Sequence, residues 1–212
     1  MRAVFFILLG LYHLTIMSQT SEYFKDISEY PTEINNGNII SRMINGLGYR
    51  YYWATEKLKE NDLIYRPSKD AYSTKETMVH IFTLSKTVYN TTLSKINERP
   101  DIDIPSDYES IRNETLQFLE KASKNFSNLN SEELDQMKIK FNRGGTIKSF
   151  PIWNLLNGPI ADAIYHTGQI VSFRRTTGNP IDSSVNVFMG SYRQKWAPHL
   201  HIKKDTLKQF LF

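Results

Sequence analysis

The chain has 212 residues, 40% of them hydrophobic and 23% charged, the balance of one ordinary globular domain or at most two. It contains no cysteine, which excludes disulfides, a cysteine nucleophile and the acylated cysteine of a bacterial lipoprotein anchor. The formal charge of +4 is spread thinly: the densest basic groups are Arg174-Arg175 and Lys203-Lys204, without the clustered stripe of a nucleic-acid surface, so no nucleic-acid partner is expected.

Residues 1–18, MRAVFFILLGLYHLTIMS, place one arginine before an apolar run of about 15 residues, short of the ~20 that span a bilayer. A small residue, Ser18, follows. This order is that of a signal peptide cut before Gln19, and it predicts an exported chain, periplasmic or secreted, with no stable membrane anchor. A buried first helix is the competing reading. Residues 19–32 are polar and read as an N-terminal arm.

From Glu33 to Glu60, Ile40, Ile44, Leu47, Tyr51 and Leu58 recur at helical spacing. Gly46 and Gly48 weaken this helix and permit a neighbour to approach closely. Tyr49, Tyr51, Tyr52 and Trp53 form an aromatic cluster suited to a core or to a dimer contact. Ser73 with Glu76 three residues later makes a capping box, so a second helix starts at Thr74 and carries Met78, Ile81, Leu84, Ser85 and Val88 towards Ile96. NERPDIDIPS then reads as a loop. Ser106 with Glu109 caps a third helix holding Ile111, Leu116, Leu119 and Phe126, and Ser131 caps a short one.

KIKFNRGGTIKSF alternates and turns at Gly144-Gly145, which predicts a small hairpin or ordered loop. Ser149, with Pro151 in the first turn, starts the fourth long helix. This helix kinks at Gly158-Pro159 and stops at Gly178. Four long helices with little strand predict an all-α fold, an antiparallel four-helix bundle over residues 33–190. The tail, 191–212, can pack across the bundle or swap onto a partner, which makes a homodimer the assembly to consider.

Of five histidines, His13 lies in the leader, His199 and His201 in the tail, and only His80 and His166 on core helices. A buried imidazole needs partners for its nitrogens. Each has a carboxylate four residues before it, on the same helix face: Glu76 before His80, Asp162 before His166. Glu76 already serves the capping box. Asp162 sits mid-helix, where Asp is a poor helix former. Two readings stay open on spacing alone: a hydrogen-bonded Asp-His pair, or two imidazoles and one carboxylate converging on a metal with a position left open. Gln169, three residues after His166, is expected to line the same pocket. Arg174-Arg175 can hold an anionic substrate or simply favour a helix C-terminus. No Ser-His-Asp set, phosphate loop or zinc-finger spacing can be assembled.

The stretches STKETMVHIF and DAIYHTGQIVSFRRTTGNPI resemble the DinB/YfiT-like superfamily, over roughly residues 38 to 190. His80 matches the first histidine of the family pattern and His166 the last, and Gly168, Gln169, Arg174 and Gly178 match the motif that follows. Asp162 departs from it, since the commonest pattern has a third histidine there. The resemblance implies a divalent metal (Zn, Ni, Mn or Fe) held by His80, Asp162 and His166. It also implies a metal-dependent hydrolase or thiol-dependent transferase acting on a small-molecule substrate. The alternative is a non-catalytic DinB-like bundle that serves as a binding or dimerising scaffold.

Overall fold

The computed structural model describes residues 22–127 and 129–192. The proposed leader, the histidines at 13, 199 and 201, and nearly all of the tail lie outside those residues.

The first helix, α1 (Asn36–Thr55), is capped by Asn35, whose side chain accepts from the Asn38 N–H. It ends earlier than the expected Glu60, because Glu56 is extended and Lys57 takes a positive φ of 57°. A short helix, α2 (Glu60–Ile64), follows. Helix α3 (Thr74–Thr92) starts on the expected Ser73–Glu76 capping box, with both reciprocal bonds formed. It stops short of Ile96. Ser94 turns with φ 55°, and Ile96 opens strand β1 (Ile96–Arg99) inside the segment read as loop.

Helix α4 (Tyr108–Ser127) is capped by Asp107, not Ser106: the Asp107 carboxylate accepts from the Ser110 N–H at 2.8 Å. Helix α5 (Ser131–Gln136) is capped by Asn130 rather than Ser131, in a box closed by Glu133. In both cases the true cap stands one residue from the one expected, and an equally good oxygen competed for the role.

The hairpin forms as strands β2 (Lys138–Arg143) and β3 (Thr146–Pro151), paired antiparallel. Ser149 is therefore a strand residue and not a cap, and Pro151 closes the strand. Helix α6 (Trp153–Leu155) leads through a π turn at Leu156–Ile160, which contains Pro159, into α7 (Ala161–Thr176). Gly178 follows with φ 80°, the left-handed conformation that ends helices. Strands β4 (Val185–Asn186) and β5 (Ser191–Tyr192) make a second small sheet.

The expected all-α class is thus corrected: the fold is mostly helical with two small sheets. In the larger one, β2 lies between β3 and β1, and β1 runs parallel to it. The four long helices pack in a ring, α1 and α3 each against both α4 and α7. Their shared interior holds Ile44, Leu47 and Tyr51 of α1, Met78, Ile81 and Phe82 of α3, Ile111, Leu116, Leu119 and Phe126 of α4, and Ala163 and Ile170 of α7. Burial of a side chain of this size stabilises by about 1.5–3 kcal/mol. No helix among the described residues is long and apolar enough to cross a membrane.

Of the aromatic cluster of α1, Tyr51 and Tyr52 belong to this interior; Tyr49 is buried with its hydroxyl donating to the Ser191 carbonyl, and Trp53 stacks on Tyr192 with ring centroids 5.3 Å apart. Arg174 is also buried. It donates to the Trp53 and Ala54 carbonyls and to Asn179, so it caps the end of α1 and ties α7 to it.

Candidate metal centre

His80 projects from the middle of α3, and Asp162 and His166 from the first turns of α7, two helices in contact. The π turn sets the phase of α7. Pro159 has no N–H to give, and the wider turn absorbs the missing bond. Asp162 falls in the first turn after it, where the helix dipole favours a negative charge.

The three side chains converge. His80 Nε2 lies 3.1 Å from Asp162 Oδ2, and His166 Nε2 lies 3.3 Å from Asp162 Oδ1. The two imidazole rings meet edge to face, 4.6 Å between centroids. Each residue offers one ligand atom, and these atoms lie within 4.8 Å of one another, a group that can hold a metal ion. Among the described residues the group has these three members. Glu76, one turn from His80, is held away by the capping box and by an ion pair to Arg66 at 3.1 Å.

Gln169 has a more specific place than pocket lining. Its Oε1 lies 2.8 Å from His166 Nδ1. With Oε1 accepting, Nδ1 is the donor, and in the neutral imidazole Nε2 then presents its lone pair to the Asp162 carboxylate. Two acceptors facing each other repel. A cation held by both residues would relieve that repulsion. Metal-ligating histidines usually donate their other ring N–H to an oxygen acceptor.

The site is open to solvent. The Asp162 side chain is 42% exposed and His80 34%, against 17% for His166. Tyr72 and Tyr165, both exposed, flank it with rings 6.4 Å from His80 and 5.3 Å from His166. Sequence reasoning missed these two tyrosines, although Tyr165 directly precedes His166. Phe82 is buried in the core and Trp153 is exposed, so neither plugs the group. A hollow of about 760 Å³, lined by Tyr52, Trp53, Lys57, Asn179 and Tyr192 among others, includes none of the three residues. The three residues sit on a partly exposed helix face and not in that hollow.

Comparison with known proteins adds little to this geometry. No family model matches the chain, and no curated protein matches it. Among solved structures it is similar to the 2.30 Å crystal structure of a DinB-like protein from Bacillus subtilis. The two are 20% identical, over 66% of this chain and 92% of that one, with a TM-score of 0.49. A likeness this distant assigns no residue a role.

Proposed function

We propose that the chain is a metal-dependent enzyme built on a DinB-like antiparallel four-helix bundle. Its divalent cation (Zn, Ni, Mn or Fe) is held by His80, Asp162 and His166. The observation that carries this reading is the convergence of two imidazole Nε2 atoms on one carboxylate, with Gln169 fixing the His166 tautomer that leaves a lone pair for a metal. Two nitrogens and one oxygen make a harder donor set than three histidines. Three protein ligands on an exposed face leave room for an outside ligand. A bound divalent cation supplies Lewis acidity, making a coordinated water or thiol more acidic, which serves hydrolysis or thiol-dependent transfer on a small molecule. The chain's own residues do the rest: Asp162 offsets the cation's charge, Gln169 orients His166, and Tyr72 and Tyr165 present flat apolar surface beside the reacting position. If residues 1–18 act as a leader, the activity belongs outside the cytoplasm.

A second reading has one observation in its favour. Asp162 is already hydrogen-bonded to His80 and forms an ion pair with His166 when that ring is protonated, so the group can satisfy itself as a structural cluster in a non-catalytic scaffold, monomeric or dimeric. Cobalt(II) loading separates the two. An open site gives visible absorption bands that shift when dithiothreitol or azide is added. No cobalt bands, or bands that stay fixed under both additions, contradict an enzyme site and leave the scaffold.

A further inference from the structure

The hairpin carries a second chemistry, away from the histidines. Side chains alternate across a strand, so Ile139, Phe141 and Arg143 of β2 share one face. The register sets Phe150 opposite Ile139, Lys148 opposite Phe141 and Thr146 opposite Arg143, all on that same face. Ile139 is buried in the core. Beyond it, Phe141, Arg143, Thr146, Lys148 and Phe150 line a hollow of about 540 Å³. The two phenylalanine rings stand 6.2 Å apart at 67°, as walls and not as a stack, and Phe150 is 37% exposed. Strand β1 adds Arg99, level with Arg143 in the parallel register, its guanidinium carbon 5.1 Å from the Phe141 ring centre.

The charge on this face is one-sided. No carboxylate lines the hollow. Among the described residues neither Arg143 nor Lys148 has an ion pair or a side-chain hydrogen bond. Asp101, the carboxylate near Arg99, is already paired with Lys86 at 2.8 Å. Burial lowers the Arg99 pKa, Asp101 opposes this, and the like charge of Arg143 lowers it further. A lysine on an edge strand is a common guard against aggregation. That role does not account for two phenylalanine rings set among the cations.

We propose that this face is a binding site for a small organic anion bearing a flat ring, with the ring against Phe141 and Phe150 and the anionic group on Arg143 and Lys148. Charge complementarity selects the anion, and the ring walls select aryl over alkyl groups.

The test is an NMR titration of the isotope-labelled protein with phenyl phosphate, inorganic phosphate and benzyl alcohol as separate probes. Phenyl phosphate should give saturable shifts at the amides of β2 and β3, with affinity at least about tenfold above either control, since ring and charge act together. Arg143→Ala with Lys148→Ala should weaken it by about tenfold or more, while Arg143→Lys keeps most of it. His166→Ala should leave it unchanged. Arg143 and Lys148 are exposed, so the variants keep the fold, and a thermal melt checks this. No saturable shift, equal binding of inorganic phosphate, full binding by the double variant, or loss of binding in His166→Ala would each overturn the site.

Discussion

At the scale of the residue, the account turns on which nitrogen of His166 carries the proton. Gln169 fixes this through a 2.8 Å contact to Nδ1, and the lone pair on Nε2 follows. Replacing Gln169 with Leu removes the acceptor and leaves the three ligands in place. Metal affinity, read by calorimetric titration with zinc, should fall about 10- to 100-fold, with little change in the melting point of the metal-free protein. Unchanged affinity would mean the contact is incidental. The clustering of His80, Asp162 and His166 was legible in the sequence because only two histidines fall on core helices and one of them has an Asp without a capping role one turn away. The place of Gln169 was legible only as proximity. An amide three residues from a histidine can face solvent, substrate or the ring, and the sequence does not choose among them.

Among the elements, α2 is held by one carboxylate. Asp62 is buried and accepts from the Lys59 N–H at 2.8 Å, the Asn179 amide at 2.6 Å and the Thr177 hydroxyl, so it binds α2 to the end of α7. Burial alone would raise its pKa. The hydrogen bonds from Thr177, Lys59 and Asn179, with Arg174 nearby, more than reverse that and leave it below the usual value. A lowered folded pKa contributes stability that is present above the unfolded value, about 3.9, and is lost as pH falls through the folded one. Asp62→Asn should therefore destabilise the protein at pH 7, and its gap to the wild type in urea melts should close as pH falls below about 4. A gap that stays constant down to pH 2 to 3, by the same linkage, would contradict the assignment.

The glycines of α1 give a second check. A Cβ at Gly37 would collide with the backbone carbonyls of Phe126 and Leu129, which cannot swing away, so Gly37→Ala should cost about 1–3 kcal/mol. At Gly46 the nearest atom is the end of the Arg50 side chain, 3.2 Å off, so Gly46→Ala should be neutral or stabilising by up to about 1 kcal/mol. Equal losses at both positions in chemical denaturation would contradict this packing. Gly46 and Gly48 are the glycines that the helical spacing marks for close approach. Gly48 meets the Phe24 ring, and Gly37 went unnoticed because its neighbour lies some ninety residues along the chain.

On the scale of the whole molecule, the helices were legible and the sheet only in part. Periodicity and the Ser73–Glu76 box mark α3 to the residue at its start, and the hairpin shows in the alternation around Gly144-Gly145. Strand β1 does not show, because its partner is remote: Ile96 pairs with Lys140, and four residues ahead of a proline carry little pattern of their own. The export proposal predicts that mature protein recovered from its native host begins near Gln19, and N-terminal sequencing that finds intact Met1 would reject it. The central claim is that the two helices holding His80, Asp162 and His166 form one metal site. Elemental analysis of the purified protein, with His80→Ala and His166→Ala prepared alongside, tests it most directly. About one divalent metal per chain is expected, removed by chelator and absent from either variant. Stoichiometric metal retained in either variant, or a wild-type protein that takes up neither zinc nor nickel when offered both, would contradict it.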